Sequence, residues 1–120
     1  MKLTATVLDA PDPRALARFY RDLLGWPLVH DEPDWATLRP TDGGPGLSFQ
    51  AEPRHVRPVW PTTTDHPGMQ LHLDIEVDDL DAACDLARSL GARPATHQFQ
   101  DDVRVWLDPA GHPFCLWIRT

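Results

Sequence analysis

A chain of 120 residues, 42% of them hydrophobic, is long enough to bury one core without disulfide or metal staples. Its 18 acidic residues against 11 basic ones give a formal charge of −7. That balance disfavours nucleic acid and anionic membrane as partners, since both need a basic footprint. No apolar run approaches the roughly 18 residues that span a bilayer, and the start Met1-Lys2-Leu3-Thr4 has no signal core. Two cysteines, Cys84 and Cys115, make no disulfide framework, so a cytoplasmic protein is expected.

Leu3 to Leu8 predicts a first strand. Asp12 as N-cap and Pro13 at the first helical position open a helix over 13–24. Ala15, Leu16, Phe19 and Leu23 recur along it at helical spacing, and Gly25 closes it. Strands are predicted at about 26–30, 34–39 and 46–51, separated by the turn chemistry of Glu32-Pro33-Asp34 and Asp42-Gly43-Gly44-Pro45-Gly46. Residues 52–68 are proline-rich, without periodicity, and predict a long connection. Gln70 to Val77 alternates, with Leu71, Leu73, Ile75 and Val77 on one face and Gln70, His72, Asp74 and Glu76 on the other. This is a half-buried strand whose apolar face meets a helix. A helix over 79–90 carries the stripe Leu80, Ala83, Leu86, Ala87 and Leu90. Strands near 94–99, 103–107 and 113–119 complete the chain, with Asp108-Pro109-Ala110-Gly111-His112 as the last turn. The order βαβββ therefore occurs twice, and the glycines that close the helices stand at 25 and 91. Such a repeat makes one domain from two modules, 1–51 and 69–120, joined by loop 52–68.

Three segments, in this order and over nearly the full chain, carry a resemblance. They are Asp12…Phe19-Tyr20…Leu23-Leu24-Gly25-Trp26, His72-Leu73-Asp74…Val77-Asp78-Asp79-Leu80-Asp81-Ala82-Ala83, and Asp108-Pro109-Ala110-Gly111-His112-Pro113-Phe114. The chain resembles the vicinal oxygen chelate superfamily, which includes glyoxalase I, extradiol dioxygenases and bleomycin-resistance-type binding proteins. The ending His112-Pro113-Phe114-Cys115-Leu116 and the Trp60-Pro61 pair resemble its glyoxalase-like branch common in actinobacteria. The resemblance implies an α+β fold with two βαβββ modules in one chain. Together they would form an eight-stranded cup, with helices outside and a small-molecule ligand inside. It also implies a homodimer, by default isologous.

Metal-dependent members hold a divalent ion with side chains from the first strand and a late strand of each module. Carried onto this chain, the first-strand ligand of the second module falls on His72, and that of the first module on Ala5, which has no donor. The usual last-strand glutamate falls on Cys115, and the late strand of the first module offers Ser48 or Gln50. No catalytic metal is expected from so depleted a set; His72, Cys115 and Gln50 are the ligands if an ion is held. Glyoxalase I and dioxygenase chemistry are disfavoured accordingly.

His72 has two readings: a strand histidine hydrogen-bonded to Asp74 or Glu76, or a polar contact in the pocket. Cys115 alternates with Phe114 and Leu116 and shares the inner surface with His72, as a small buried hydrophobe or a pocket wall. A nucleophilic Cys–His pair has no identifiable orienting group. His112 reads as turn-capping and Cys84 as packing. Of the five tryptophans, Trp117 shares the parity of Cys115, while Trp35 and Trp106 occupy corresponding central strands. Trp60, in the connection, either contacts ligand as a lid or pins the loop. No Gly-rich phosphate loop, nucleophile-elbow serine or spaced Cys/His zinc motif is present. The expectation is a binding protein for a small, partly aromatic molecule, of the drug-sequestering type. Its contacts would be His72, Cys115, Trp117, Gln50, Trp60, Trp35 and Trp106. The alternatives are a lyase or isomerase using His72 for acid–base chemistry, and an interaction domain with a vestigial cup.

Overall fold

The computed structural model describes residues 1–120, which divide into two compact units, Met1–His55 and Val56–Thr120. The division falls inside the proline-rich stretch.

The first unit contains β1 (Ala5–Ala10), α1 (Pro13–Leu24), β2 (Leu28–Glu32), β3 (Trp35–Leu38) and β4 (Gly46–Ala51). Its four-stranded sheet has the order β1-β4-β3-β2, with β1 parallel to β4 and the other pairs antiparallel. Helix α1 begins where the Asp12 carboxylate accepts from the Ala15 N–H, and it ends at Gly25 in the left-handed region. Its buried Leu16, Ala17, Phe19 and Tyr20 meet the sheet face that carries Leu8, Ala10, Ala36, Leu38 and Phe49, with Tyr20 stacked on Phe49 at 5.8 Å. Burial of each large side chain there contributes about 1.5–3 kcal/mol. At Gly46 the chain passes so close to the Leu38 carbonyl that a Cβ would collide with it.

The second unit repeats the plan with β5 (Leu73–Glu76), α2 (Leu80–Ser89), β6 (Arg93–Pro94), β7 (Val103–Leu107) and β8 (Pro113–Trp117), in the order β5-β8-β7-β6. Asp79 caps α2 through the Ala82 N–H. The strand expected over 70–77 begins only at Leu73. One step earlier the neighbouring strand would present Pro113, which has no N–H to donate. The strand expected over 94–99 shrinks to two residues for a different reason. Beyond Ala95 the Gln98 side chain joins the backbone in pairing with Val105. The Val105 carbonyl accepts from the Ala95 N–H at 3.0 Å and from the Gln98 amide nitrogen at 2.9 Å. That nitrogen also donates to the Ala95 carbonyl, and the Gln98 oxygen accepts from the Val105 N–H, both at 2.9 Å. The stripe of α2 is also narrower than expected. Ala87 is buried, but Leu86 stays largely exposed. Phe114, Leu116 and Trp106 fill the sheet face that α2 covers.

The stretch after His55 is fixed within this unit. Val59 N–H donates to the Pro67 carbonyl, and the Arg57 guanidinium donates to the Pro109 carbonyl at 2.9 Å. Neither helix of the chain is long and apolar enough to cross a membrane.

Candidate ligand pocket

Alternation along β5, β7 and β8 divides the side chains of the second sheet. Asp74, Val105 and Cys115 are register partners and share the face turned away from α2, together with Val103 and Pro113. His72 precedes β5 by one residue and has the parity of Asp74. A pocket of about 180 Å³ lies on this face. That is somewhat larger than a cavity of about 150 Å³ known to admit benzene, so it has room for a single ring with the remainder of a molecule outside. Its walls are Trp60, Met69, Phe99, Val103, Val105 and Pro113, and its polar groups are His72, Gln100 and Cys115.

The mouth is aromatic. Trp60 meets Phe99 edge-to-face at 5.5 Å and His97 at 6.4 Å, and His97 lies 4.7 Å from Phe99. Phe99 is 64% exposed, an unusual position for a phenyl ring with no partner beyond its neighbours. Gln98 is what brings it there. Because its side chain completes the hydrogen bonding of β7, the backbone at 97–100 is released from the sheet to run past Trp60.

Below the mouth, His72 Nε2 stands 3.1 Å from Asp74 Oδ1, and the Cys115 thiol donates to the same carboxylate. The nitrogen, oxygen and sulfur atoms of the three side chains lie within 4.8 Å of one another. Burial first, then the Asp74 charge and that hydrogen bond, push the Cys115 thiol up from 9.0 to about 11. At neutral pH it is therefore a thiol and not the thiolate that nucleophilic attack needs. In metal-free protein at pH 8, iodoacetamide should label Cys115 about a hundredfold more slowly than a free cysteine, as mass spectrometry of the digested protein would read. Labelling at the free-cysteine rate would contradict the buried, carboxylate-bonded thiol. Above pH 9 the unfolded chain ionises this thiol while the folded chain holds the proton until about 11, so its stabilising share is lost across that window.

His72, Cys115 and Trp60 thus converge, and the other residues expected to contact ligand lie elsewhere. Trp117 shares the face of Cys115 but lies outside the pocket, with the Arg119 guanidinium 5.6 Å from its ring. Trp106 is corrected to the opposite face. It is buried beside α2 with the Arg88 guanidinium 5.3 Å over its ring, because Val105 and not Trp106 is the register partner of Cys115. Trp35 and Gln50 belong to the first unit, where they are paired across β3 and β4, and the Gln50 amide donates to Asp9 at 3.1 Å. Met69, Phe99, Gln100, Val103 and Val105 were not among the expected contacts. Parity with Cys115 was a usable signal for the two valines; the others sit in irregular backbone with no periodicity to betray them.

The divalent-metal site of the superfamily's enzymes does not fit these residues. Ala5 offers no donor, Ser48 is buried and hydrogen-bonded to Thr37 at 3.2 Å, and Gln50 is engaged by Asp9. Only His72 keeps a usual ligand type at a usual position.

A family model described as a glyoxalase-like domain matches residues 5–117. No curated protein matches the chain. Among solved structures, a glyoxalase/bleomycin resistance protein/dioxygenase family enzyme from Burkholderia phytofirmans superposes with a TM-score of 0.74 at 19% identity, covering 98% of both chains. An antibiotic-binding protein, TnmS3, from a Streptomyces species gives 0.66 at 19% identity, covering 100% of this chain and 97% of its own. A lactoylglutathione lyase from Agrobacterium tumefaciens gives 0.63 at 20% identity, covering 98% and 92%. At such identities the likeness is one of fold.

Proposed function

The chain belongs to the family of glyoxalase-like domains, and we propose that it binds a small, partly aromatic molecule in the pocket of its second unit, without the divalent-metal chemistry of the superfamily's enzymes. One observation carries this reading: an apolar, aromatic-mouthed pocket with only three polar side chains, His72, Gln100 and Cys115, in its lining. Such a lining favours ring stacking with one or two orienting hydrogen bonds. Support also comes from the antibiotic-binding protein of the same fold. The drug-sequestering role, a cytoplasmic location and a homodimer belong to the same proposal; sedimentation at micromolar concentration checks the last.

The test is a panel of one- and two-ring aromatic compounds, followed by tryptophan emission and thermal shift. A binder should quench emission and raise the Tm in metal-free buffer. Trp60→Ala should weaken its Kd about tenfold, the value of one good aromatic contact, while Trp26→Phe leaves it unchanged. An equal Kd for Trp60→Ala would rule this pocket out as the binding place. The His72–Asp74 pair at 3.1 Å favours a second reading, a lyase or isomerase in which His72 moves a proton. That reading requires turnover of the bound compound, abolished by His72→Ala.

A further inference from the structure

We propose that the α2 side of the second sheet carries a separate binding site for a small zwitterion, a molecule with a carboxylate and an ammonium on one short scaffold. A cavity of about 510 Å³ lies there, within the roughly 300–1,000 Å³ typical of ligand pockets. It shares no lining residue with the aromatic pocket. Alternation along β7 separates the two: Arg104 and Trp106 line this cavity, whereas Val103 and Val105 line the other. A second wall is one face of α2, where Asp81, Cys84, Asp85 and Arg88 follow the helical spacing i, i+3, i+4 and i+7. The inference goes beyond the aromatic-ligand reading and does not rest on it.

The feature that points to a ligand is the Trp106 indole. The residue is 2% exposed, yet its Nε1 has no hydrogen-bond partner. A buried donor left unpaired is costly, and buried tryptophans usually place this N–H on an acceptor. Two guanidiniums at the same cavity favour an acceptor that carries negative charge. Arg88 lies 5.3 Å over the Trp106 ring. Arg104 is held by bonds from Nη1 to the Gln100, Asp101 and Val103 carbonyls at 2.8, 2.9 and 2.9 Å, which fix its guanidinium while using one nitrogen of the fork. A plain anion would also meet the Asp81 and Asp85 carboxylates, and a plain cation would meet the two arginines. A zwitterion satisfies both signs. Its carboxylate accepts from the Trp106 N–H and Arg88, and its ammonium donates to Asp85 or Asp81. Asp85 and Arg88 are less than one helical turn apart, close enough for one short molecule to engage both. Their own ion pair is long, at 3.5 Å, and 59% of the Arg88 side chain and 81% of the Asp85 side chain are exposed. Such a pair opens at little cost, so Arg88 swings off the ring and admits the carboxylate to the indole edge.

The probes are three non-aromatic zwitterions of increasing size: glycine, L-leucine and L-leucyl-L-leucine. Each is titrated to millimolar concentration into isotopically labelled full-length protein, with the Trp106 Nε1–H signal assigned in its N–H correlation spectrum. At least one should move that signal downfield and saturate, as a new bond to a carboxylate does. For the tightest of the three, the analogue without the ammonium and the analogue without the carboxylate should each bind at least fivefold more weakly. Arg88→Gln, at an exposed position, should weaken the zwitterion at least fivefold. Asp81→Asn with Asp85→Asn should narrow its advantage over the analogue without the ammonium. The proposal is overturned if no zwitterion moves the Trp106 signal, or if either single-charge analogue binds as tightly as its parent. Unchanged affinity in Arg88→Gln, or an undiminished advantage in the double variant, overturns it as well.

Discussion

Asp108→Ala should lower the unfolding free energy by about 3 kcal/mol and the Tm by about 10 °C. Asp108 is 1% exposed, and its Oδ1 accepts from the Ala110 N–H at 2.9 Å and the His112 N–H at 3.0 Å. Its backbone closes the same turn, with the Asp108 N–H donating to the His112 carbonyl and the Gly111 N–H donating to the Asp108 carbonyl. Gly111, at φ 90°, supplies the left-handed residue that the turn demands. Alanine would leave two amide donors facing a cavity, which costs more than the hydrogen bonds themselves contribute. Asp108→Asn keeps an acceptor oxygen and should lose less than half as much. Urea titrations of both variants, with m unchanged, provide the measurement. A loss below 1 kcal/mol for the alanine variant would mean that the turn is held by something other than this carboxylate. In this turn the His112 N–H and carbonyl are bonded to Asp108, whose carboxylate supplies a capping oxygen.

Gln98→Ala should cost about 2 kcal/mol and disorganise the pocket mouth together. The one amide satisfies the Ala95 carbonyl and the Val105 N–H and shares the Val105 carbonyl with the Ala95 N–H. Without it, hydrogen exchange at the Val105 amide should accelerate at least tenfold, and Phe99 should lose its fixed approach to Trp60. Gln98→Glu separates the roles. It keeps the acceptor for Val105 but turns a charged oxygen toward two carbonyls, so it should be at least as destabilising as alanine. A glutamate variant of native stability would show that the donor side contributes nothing.

Where local chemistry and periodicity agree, the sequence was sufficient. Helix α1 spans Pro13–Leu24 as expected, because Asp12, Pro13 and Gly25 mark its ends independently of packing. The strands at 46–51 and 103–107 also stand at the expected bounds. β6 stops short because, beyond the backbone bond from the Ala95 N–H to the Val105 carbonyl, it is the Gln98 side chain that takes the Val105 N–H, and no propensity encodes that substitution. In the pocket, His72 and Cys115 were legible from parity alone, and Asp74 was legible as a partner of His72. That it also receives the Cys115 thiol depended on register. Trp106 shows how a register error moves a residue. Equating it with Trp35 by strand position ignored that a one-residue offset against β8 transfers a side chain to the other face. Met69 and Phe99 occupy irregular backbone, where facing is set by tertiary contacts absent from any short pattern.

The parallel pairing of β5 with β8 has a kinetic consequence. Leu73 pairs with Phe114 and Ala5 pairs with Gly46, so each unit must close a loop of 41 residues before its first strand finds its partner. Closures of that span are late and slow steps compared with helix or hairpin formation. Asp74 therefore meets Cys115 only when β8 docks against β5. The pocket corner cannot form during synthesis until β8 has left the ribosome, and any spectroscopic signal from Cys115 near Asp74 would report completion of the second unit's fold.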